Sequence, residues 1–380
     1  MRVTQICNTL SASDGGPARH ALEVNAALND LGVDVQLYAA HASTDELTTV
    51  FRQRSDTFFR EPKAVRGVHA LAAAIRSCDI LIVHGYYLRW AALAVAIARV
   101  EHKPVLLMPH GALTRYDRSS KPMKKWLFHI ACGWWMNRIV RFVVATEREA
   151  RDLREHAPGA QVRTVGAGAS GAASAPSKEL HSPVALLSLS RIAPKKRIDL
   201  AIQTLSLVRR QGLDATLSIG GVGDIELVSR LRALADAEGV TSHVEFVGHV
   251  EGREKELLFE ASDILLLLSD DENFGIGLAE ALVRGLPAVT TTAVAAASGM
   301  SSSFCPQIEP GATETAARHV VEIAGDYAPR SLAARGAAEA AFSWNSVAKR
   351  WSRVLQDAFS EQQRRTTKFH DTNTKNEEQP

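Results

Sequence analysis

The sequence predicts an α/β protein made of two doubly wound domains, each a parallel sheet with helices on both faces. Three observations carry this. Short continuous apolar runs at 79–84, 104–108, 184–189 and 264–268 alternate with helical segments along most of the chain. That is the pattern of βαβ units whose sheet is covered on both sides. One small, polar, proline-bearing stretch, 169–183, interrupts the alternation and marks a domain boundary. The 380 residues suffice for two full cores.

Composition excludes several classes of function. Forty-four basic and 42 acidic residues nearly cancel, so no global field points to nucleic acid. Cys7, Cys78, Cys132 and Cys305 are scattered, with neither metal-ligand spacing nor a disulfide framework, as suits a reducing cytosol. The N-terminus has no apolar segment of signal-peptide length, and no apolar run reaches the ~18 residues that span a bilayer. The reading is a cytoplasmic protein, at most peripheral on the inner face of a membrane.

In chain order, Val3–Cys7 is a strand, 11–19 a glycine-bearing loop, Ala18–Leu31 a helix ended by Gly32, and 33–39 a second strand. The loop Gly15-Gly16-Pro17 lacks the G-x-G-x-x-G spacing and no acid closes the second strand, so a nicotinamide dinucleotide is not indicated. His84 and His110 each end an apolar strand and each precede a glycine. Parallel sheets carry their sites at that edge. Two histidines closing two apolar strands at one edge make a candidate constellation, although a lone histidine at a strand end is more often structural. Segment 115–141 interleaves Arg115, Arg118, Lys121, Lys124, Lys125, Arg138 and Arg141 with Trp126, Phe128, Trp134 and Trp135. It suits an anionic lipid surface, a pocket for a phosphorylated acceptor, or a solvated helix whose aromatics fill the core. Thr146 and Glu149 form a capping box for a helix to about His156.

Beyond the linker, strand 184–190 runs into a basic loop that holds Arg191 and Lys196, and then a helix. Arginine offers a fork for phosphate oxygens and lysine a point charge. The chemistry concentrates in 262–290. Ile264–Leu268 is a strand, 269–275 a polar loop, Ile276–Val283 a helix, and Ala288–Thr290 the next strand. Glu272 and Glu280 flank Phe274-Gly275-Ile276-Gly277, whose N–H groups open the helix and make an anion cradle. Two acceptors around such a cradle suit a ligand that is phosphorylated and polyhydroxylated. The alanine- and serine-rich stretch 291–304 reads either as a mobile lid or as a divergent loop.

The run E-N-F-G-I-G-L-A-E-A-L-x-x-G-L-P resembles the Glu-x7-Glu signature of retaining GT-B glycosyltransferases, in particular glycosyltransferase family 4 (glycosyl transferases group 1). G-G-P at 15–17, P-H-G at 109–111 and R-x4-K at 191–196 occur in the family's order, so the resemblance covers residues 1 to about 358. It implies two Rossmann-like domains facing a cleft. The first, 1–168, lies on the acceptor side. After the linker 169–183, residues 184–341 bind the nucleotide sugar, and a helix at 342–359 crosses back. The polar tail 360–380 reads as disordered from its own composition.

The resemblance also implies hexosyl transfer from a nucleotide-diphosphate sugar to a glycan or glycolipid hydroxyl, with retention and without a metal or other cofactor. Gly15, Gly16, Arg191, Lys196, Phe274, Gly275, Ile276 and Glu280 would then bind the donor, and His110 and Glu272 would act at the transferred sugar. Gly248-His249-Val250 falls where the family seats its base. Where the family shows P-N-G this chain has Gly166-Ala167-Gly168, and Ser190 replaces the glycine that commonly precedes the arginine. The missing asparagine at Ala167 and the altered 291–304 segment leave room for a nucleotide-sugar-binding protein without transferase activity, and a sugar-nucleotide epimerase is a third alternative.

Overall fold

A computed structural model describes residues 1–10, 16–41, 61–119, 122–169 and 179–377. The chain divides into two compact units, Met1–Ala167 with Trp344–Pro380, and Gly168–Ser343. Gly15, Lys121 and residues 170–178 of the expected linker lie outside the described residues.

The first unit holds a seven-stranded, all-parallel sheet. Its strands are β1 (Arg2–Cys7), β2 (Asp34–Ala39), β3 (Lys63–Ala64), β4 (Ile80–His84), β5 (Val105–Met108), β6 (Arg141–Val144) and β7 (Gln161–Thr164). Their order is β3-β2-β1-β4-β5-β6-β7. The direction of winding therefore reverses between β1 and β4, which pair from Val3↔Ile80 to Ile6↔Val83. Every residue of β4 and β5 is buried. Leu81 and Val83 point into one core with Leu71, Ile75, Val95 and Leu153. Ile80 and Ile82 point into the other with Val24, Leu28, Val347, Trp351 and Leu355. Period-two alternation thus feeds two cores, and both faces need apolar side chains.

Helix α1 (Gly16–Asp30) and the last helix, Trp344–Glu377, cover that second face together. Trp351 is fully buried there, and truncating a buried tryptophan typically costs about 3–5 kcal/mol. The last helix continues well past residue 360, where composition predicted disorder. No glycine or proline interrupts 344–377. A helix nucleated by packed apolar residues propagates through Glu, Gln, Lys and Arg without burying them.

The second unit repeats the architecture. Strands β8 (Val184–Leu189), β9 (Ala215–Gly220), β10 (Val244–Gly248), β11 (Ile264–Leu267), β12 (Ala288–Thr291) and β13 (Gln307–Ile308) form a parallel sheet in the order β10-β9-β8-β11-β12-β13. Its winding reverses between β8 and β11. Helices Ile198–Arg210 and Thr313–Gly325 supply Ile198, Ile202, Leu205 and Val320 to the core over Leu186, Ile219 and Leu266. Ile276–Val283 is helical over the predicted residues.

Segment 291–304 is a turn-rich loop packed onto the fold, with a 3-10 turn at Ala295–Ala297. Val294, Ala296 and Ala297 are buried. Its backbone pairs with the acidic loop through Glu272 N to Ala293 O (3.2 Å), Ala295 N to Glu272 O (3.3 Å) and Ala296 N to Phe274 O (2.9 Å). Segment 115–139 is largely helical, with helices at Arg115–Ser119, Pro122–Phe128 and Trp134–Ile139 and a π turn at His129–Gly133.

Candidate functional site

Each sheet carries a cluster of polar side chains at its carboxyl edge, beside the strands where its winding reverses. Open α/β sheets bind ligands at such points, because loops leave neighbouring strands in opposite directions and open a crevice.

In the first unit the cluster is built from Gln5 on β1, His20 on α1, His84 at the end of β4 and His110 just past β5. Gln5 Nε2 donates to the Ala21 carbonyl at 2.7 Å and lies 2.9 Å from His84 Nε2. His84 Nδ1 lies 2.8 Å from His110 Nε2. A carbonyl only accepts, so the Gln5 atom beside Ala21 is the amide nitrogen, and its second proton meets His84 Nε2. His84 is therefore protonated at Nδ1, which donates to His110 Nε2 and leaves the His110 proton on Nδ1. His20 packs edge-on against His110, with ring centroids 5.3 Å apart.

All three imidazoles are held neutral. Burial lowers His20 to about 4. Burial and then the His20 ring lower His84 well below the usual value, and burial, His84 and His20 do the same to His110. Gln5 Oε1 and His20 Nε2 are buried without hydrogen-bond partners, whereas most buried polar atoms are paired.

His110 adopts a left-handed backbone conformation, φ 52°, which costs a non-glycine residue of order 1–3 kcal/mol. A buried carboxylate holds it there. Glu149 accepts from Gly111 N at 2.6 Å and from Ala145 N at 3.1 Å. Thr146 caps the helix Glu147–His156 by accepting from Glu149 N. The capping box is thus only half of the usual arrangement, because the glutamate reaches past its own cap to the P-H-G turn. Gly16 begins α1 and is exposed.

In the second unit the loop after β8 and the loop after β11 meet. Lys196 forms an ion pair with Glu272, and Lys195 lies 3.4 Å from Asp271. Burial, with the neighbouring Lys195 and Arg191 cations, lowers Lys196 to about 8. Arg191 is exposed. The helix Ile276–Val283 begins at Gly275, φ 94°, with no side-chain cap, so its first N–H groups and its dipole are available to an anion. A Cβ on Gly277 would sit 3.1 Å from the Leu189 carbonyl, so glycine lets the helix start close to the end of β8. Phe274 and Glu280 are buried.

Glu280 is bound by Lys255 Nζ, 2.7 Å from one carboxylate oxygen and 2.6 Å from the other. Ser269 Oγ and Asn273 Oδ1 are buried without partners on the same loop. The basic loop is braced from behind. A Cβ on Gly221 would lie 1.9 Å from the Ser190 carbonyl, so only glycine lets the turn after β9 run against it.

Of the sequence-predicted residues, Lys196 and Glu272 meet, and Phe274, Gly275 and Ile276 follow on the same loop and helix start. Glu280 lies on that helix against Lys255, Arg191 stands in the loop before Lys196, and His110 sits in the other unit. Sequence reasoning missed Gln5, His20, Glu149 and Lys255. For His20 a signal existed, a histidine one turn into the helix after Gly15-Gly16. Lys255, in the helix Gly252–Glu260, carried none, because only the tertiary fold brings it to Glu280. Among the described residues, no group of three or more His, Cys, Asp or Glu side chains is placed to hold a metal ion.

Residues 14–170 match the family described as Glycosyltransferase Family 4, and residues 173–301 the family described as Glycosyl transferases group 1. The chain is 27% identical over 187 residues to the amylovoran biosynthesis glycosyltransferase AmsK of Erwinia amylovora, a match covering 47% of this chain and 46% of that protein. It is 30% identical over 122 residues to the putative colanic acid biosynthesis glycosyltransferase WcaL of Escherichia coli K12, covering 30% of each. The chain spans less than half the length of these curated relatives. Among solved structures, Anabaena Alr3699/HepE in complex with UDP superposes with a TM-score of 0.71 at 15% identity, covering 94% of this chain and 100% of that one. The apo lipopolysaccharide outer core galactosyltransferase WaaB superposes with a TM-score of 0.69 at 15% identity, covering 94% and 99%.

Proposed function

Because the chain belongs to the family 4 and group 1 glycosyltransferases of GT-B fold, we propose that it transfers a hexosyl group from a nucleotide-diphosphate sugar to an acceptor hydroxyl, with retention of anomeric configuration. The observation that carries this reading is the Lys196–Glu272 ion pair at the reversal point of the second sheet, beside a helix start without a side-chain cap. A diphosphate competes for Lys196, and its arrival releases the Glu272 carboxylate to accept hydroxyls of the transferred sugar.

As the glycosidic bond breaks, negative charge grows on the leaving nucleoside diphosphate. Arg191, Lys196 and the N–H groups from Phe274 to Gly277 stabilise it, and preorganised donors of this kind act without reorganisation. The reaction on this reading needs no metal. Glu280, oriented by Lys255, accepts from the ribose hydroxyls on this reading. Gly15 and Gly16 let the backbone approach the donor phosphate. His110 presents Nδ1–H as a hydrogen-bond donor to the sugar or its phosphate.

The acceptor on this reading is a glycan or glycolipid of surface polysaccharide assembly, a role supported by the names of the AmsK and WcaL relatives. The enzyme would work in the cytoplasm, at the inner face of the membrane, reached through 115–141. Among the described residues no helix is long and apolar enough to cross a membrane. A thermal-shift panel of nucleoside diphosphates and then nucleotide sugars tests the core of the proposal, followed by product analysis for anomeric configuration. Stabilisation by none of them would overturn it.

A further inference from the structure

At the amino edge of the first sheet, opposite the histidine cluster, lies a cavity of ≈ 780 Å³. The starts of β5, β6 and β7 floor it, and Arg99, His102, Lys103, Arg138 and Arg141 line it. Glu361 is the one carboxylate among its lining residues, and it is paired with Arg141. Arg99, Lys103 and Arg138 therefore leave the cavity with a net positive charge. His102, at its rim, is held in the left-handed region, φ 54°.

The wall bearing Arg138 is the end of the helical segment 122–139, and that segment turns apolar side chains outward. Met123 is 75% exposed, Trp126 61%, Leu127 55%, Ile130 57% and Trp134 59%. Met123, Trp126, Ile130 and Trp134, spaced three, four and four, fall on one helical face, with Leu127 beside Trp126. Residues 122–139 contain no aspartate or glutamate, while Lys124 and Arg138 flank the stripe. Stripe and cavity touch, because the Arg138 guanidinium stacks over the Trp134 ring at 4.3 Å.

We infer that this cavity takes the phosphate headgroup of an anionic phospholipid while the Met123–Trp134 stripe lies among the acyl chains. An apolar face flanked by cations is the pattern of an interfacial helix, and basic pockets beside such a face select charged headgroups. A second copy of the chain is the poorer occupant. A two-fold contact through the stripe would crowd the Lys124 and Arg138 cations of both copies into one interface. The inference deepens the membrane contact proposed above and rests on it, but does not depend on the donor chemistry.

Full-length protein is sedimented with phosphatidylcholine vesicles and with phosphatidylcholine–phosphatidylglycerol vesicles, following tryptophan emission in parallel. Binding is expected only to the anionic vesicles, with a blue shift from Trp126 and Trp134. Trp126→Glu with Ile130→Glu should abolish it, and Arg99→Glu with Arg138→Glu should weaken it by roughly tenfold or more. All four residues are exposed, so circular dichroism and nucleotide binding should be unchanged. Anionic binding that survives the arginine pair would overturn the headgroup site while leaving the stripe. Equal binding to both vesicle types would also overturn it. No binding to either, with self-association lost in the tryptophan–isoleucine variant, would overturn the membrane contact itself.

Discussion

His84 Nδ1 lies 2.8 Å from His110 Nε2, and the proton between them belongs to His84. The assignment runs back through Gln5 to the Ala21 carbonyl, which can only accept. Long-range 1H–15N spectra should therefore show both His84 and His110 protonated at Nδ1. In Gln5→Leu the donor to His84 Nε2 is gone, so both tautomers of His84 become populated and turnover should fall more than donor affinity. A His110 protonated at Nε2 in the unmodified protein would reject the relay.

The same cluster makes stability depend on pH. His20 titrates near 4 when folded and near 6.5 when unfolded, so the unfolded chain binds the extra proton first. Stability is then fully present above about pH 6.5 and is lost as pH falls toward 4, at about 1.4 kcal/mol per unit for this residue. His84 and His110 act in the same direction. Urea unfolding across this window should give a shallower slope for His20→Gln, and an unchanged slope would count against a buried neutral imidazole.

Glu149 stabilises a backbone strain that it does not itself carry. Glu149→Gln replaces one of two acceptor oxygens by a donor that faces an N–H. The expected loss is about 1–3 kcal/mol of stability, with a drop in kcat larger than any change in donor affinity. Equal kcat would mean that the His110 conformation is set by something other than this carboxylate.

In the second unit, Glu272→Ala should lower transfer by roughly 10²–10³-fold, the scale for losing one preorganised polar contact, while a nucleoside diphosphate still binds. Arg191→Ala combined with Lys196→Ala should weaken that binding by tenfold or more in calorimetry. A chelator should leave turnover largely intact. Complete loss that added metal restores would refute the reading in which this chain's cations alone stabilise the leaving group.

Gly221 combines φ 136° with a Cβ position 1.9 Å from the Ser190 carbonyl. Gly221→Ala should cost about 3 kcal/mol or more, from strain and overlap together, and should loosen the Arg191–Lys196 loop. A melting temperature within about a degree of the parent would show that the turn after β9 relaxes without displacing that loop.

The elements lining the second site were legible because local signals agreed. The apolar run 264–268, the polar loop 269–275 and the helical run 276–283 mark strand, loop and helix without tertiary help. What sequence could not show were pairings across the fold. Lys255 reaches Glu280 from the helix before β11, and Glu149 reaches Gly111 across 38 residues. Neither has a periodicity or spacing that announces it. The tail beyond residue 360 differed for another reason, since a composition too polar to build a core can still extend a helix anchored by Trp351 and Leu355.

Segment 293–296 touches the acidic loop through backbone atoms, at both ends of Glu272–Phe274. Peptide groups are the same in every residue, so a mould made of them places no demand on side chains beyond fitting. Alanines and serines serve as well as anything richer, which is why the stretch looks featureless when read as letters. Enlarging the buried Val294 or Ala296 would strain the packing, and a single inserted or deleted residue would also shift the peptide register and re-aim the Glu272 carboxylate. On the proposed reading, changes of length in that segment alter the preferred sugar with every named site residue left in place.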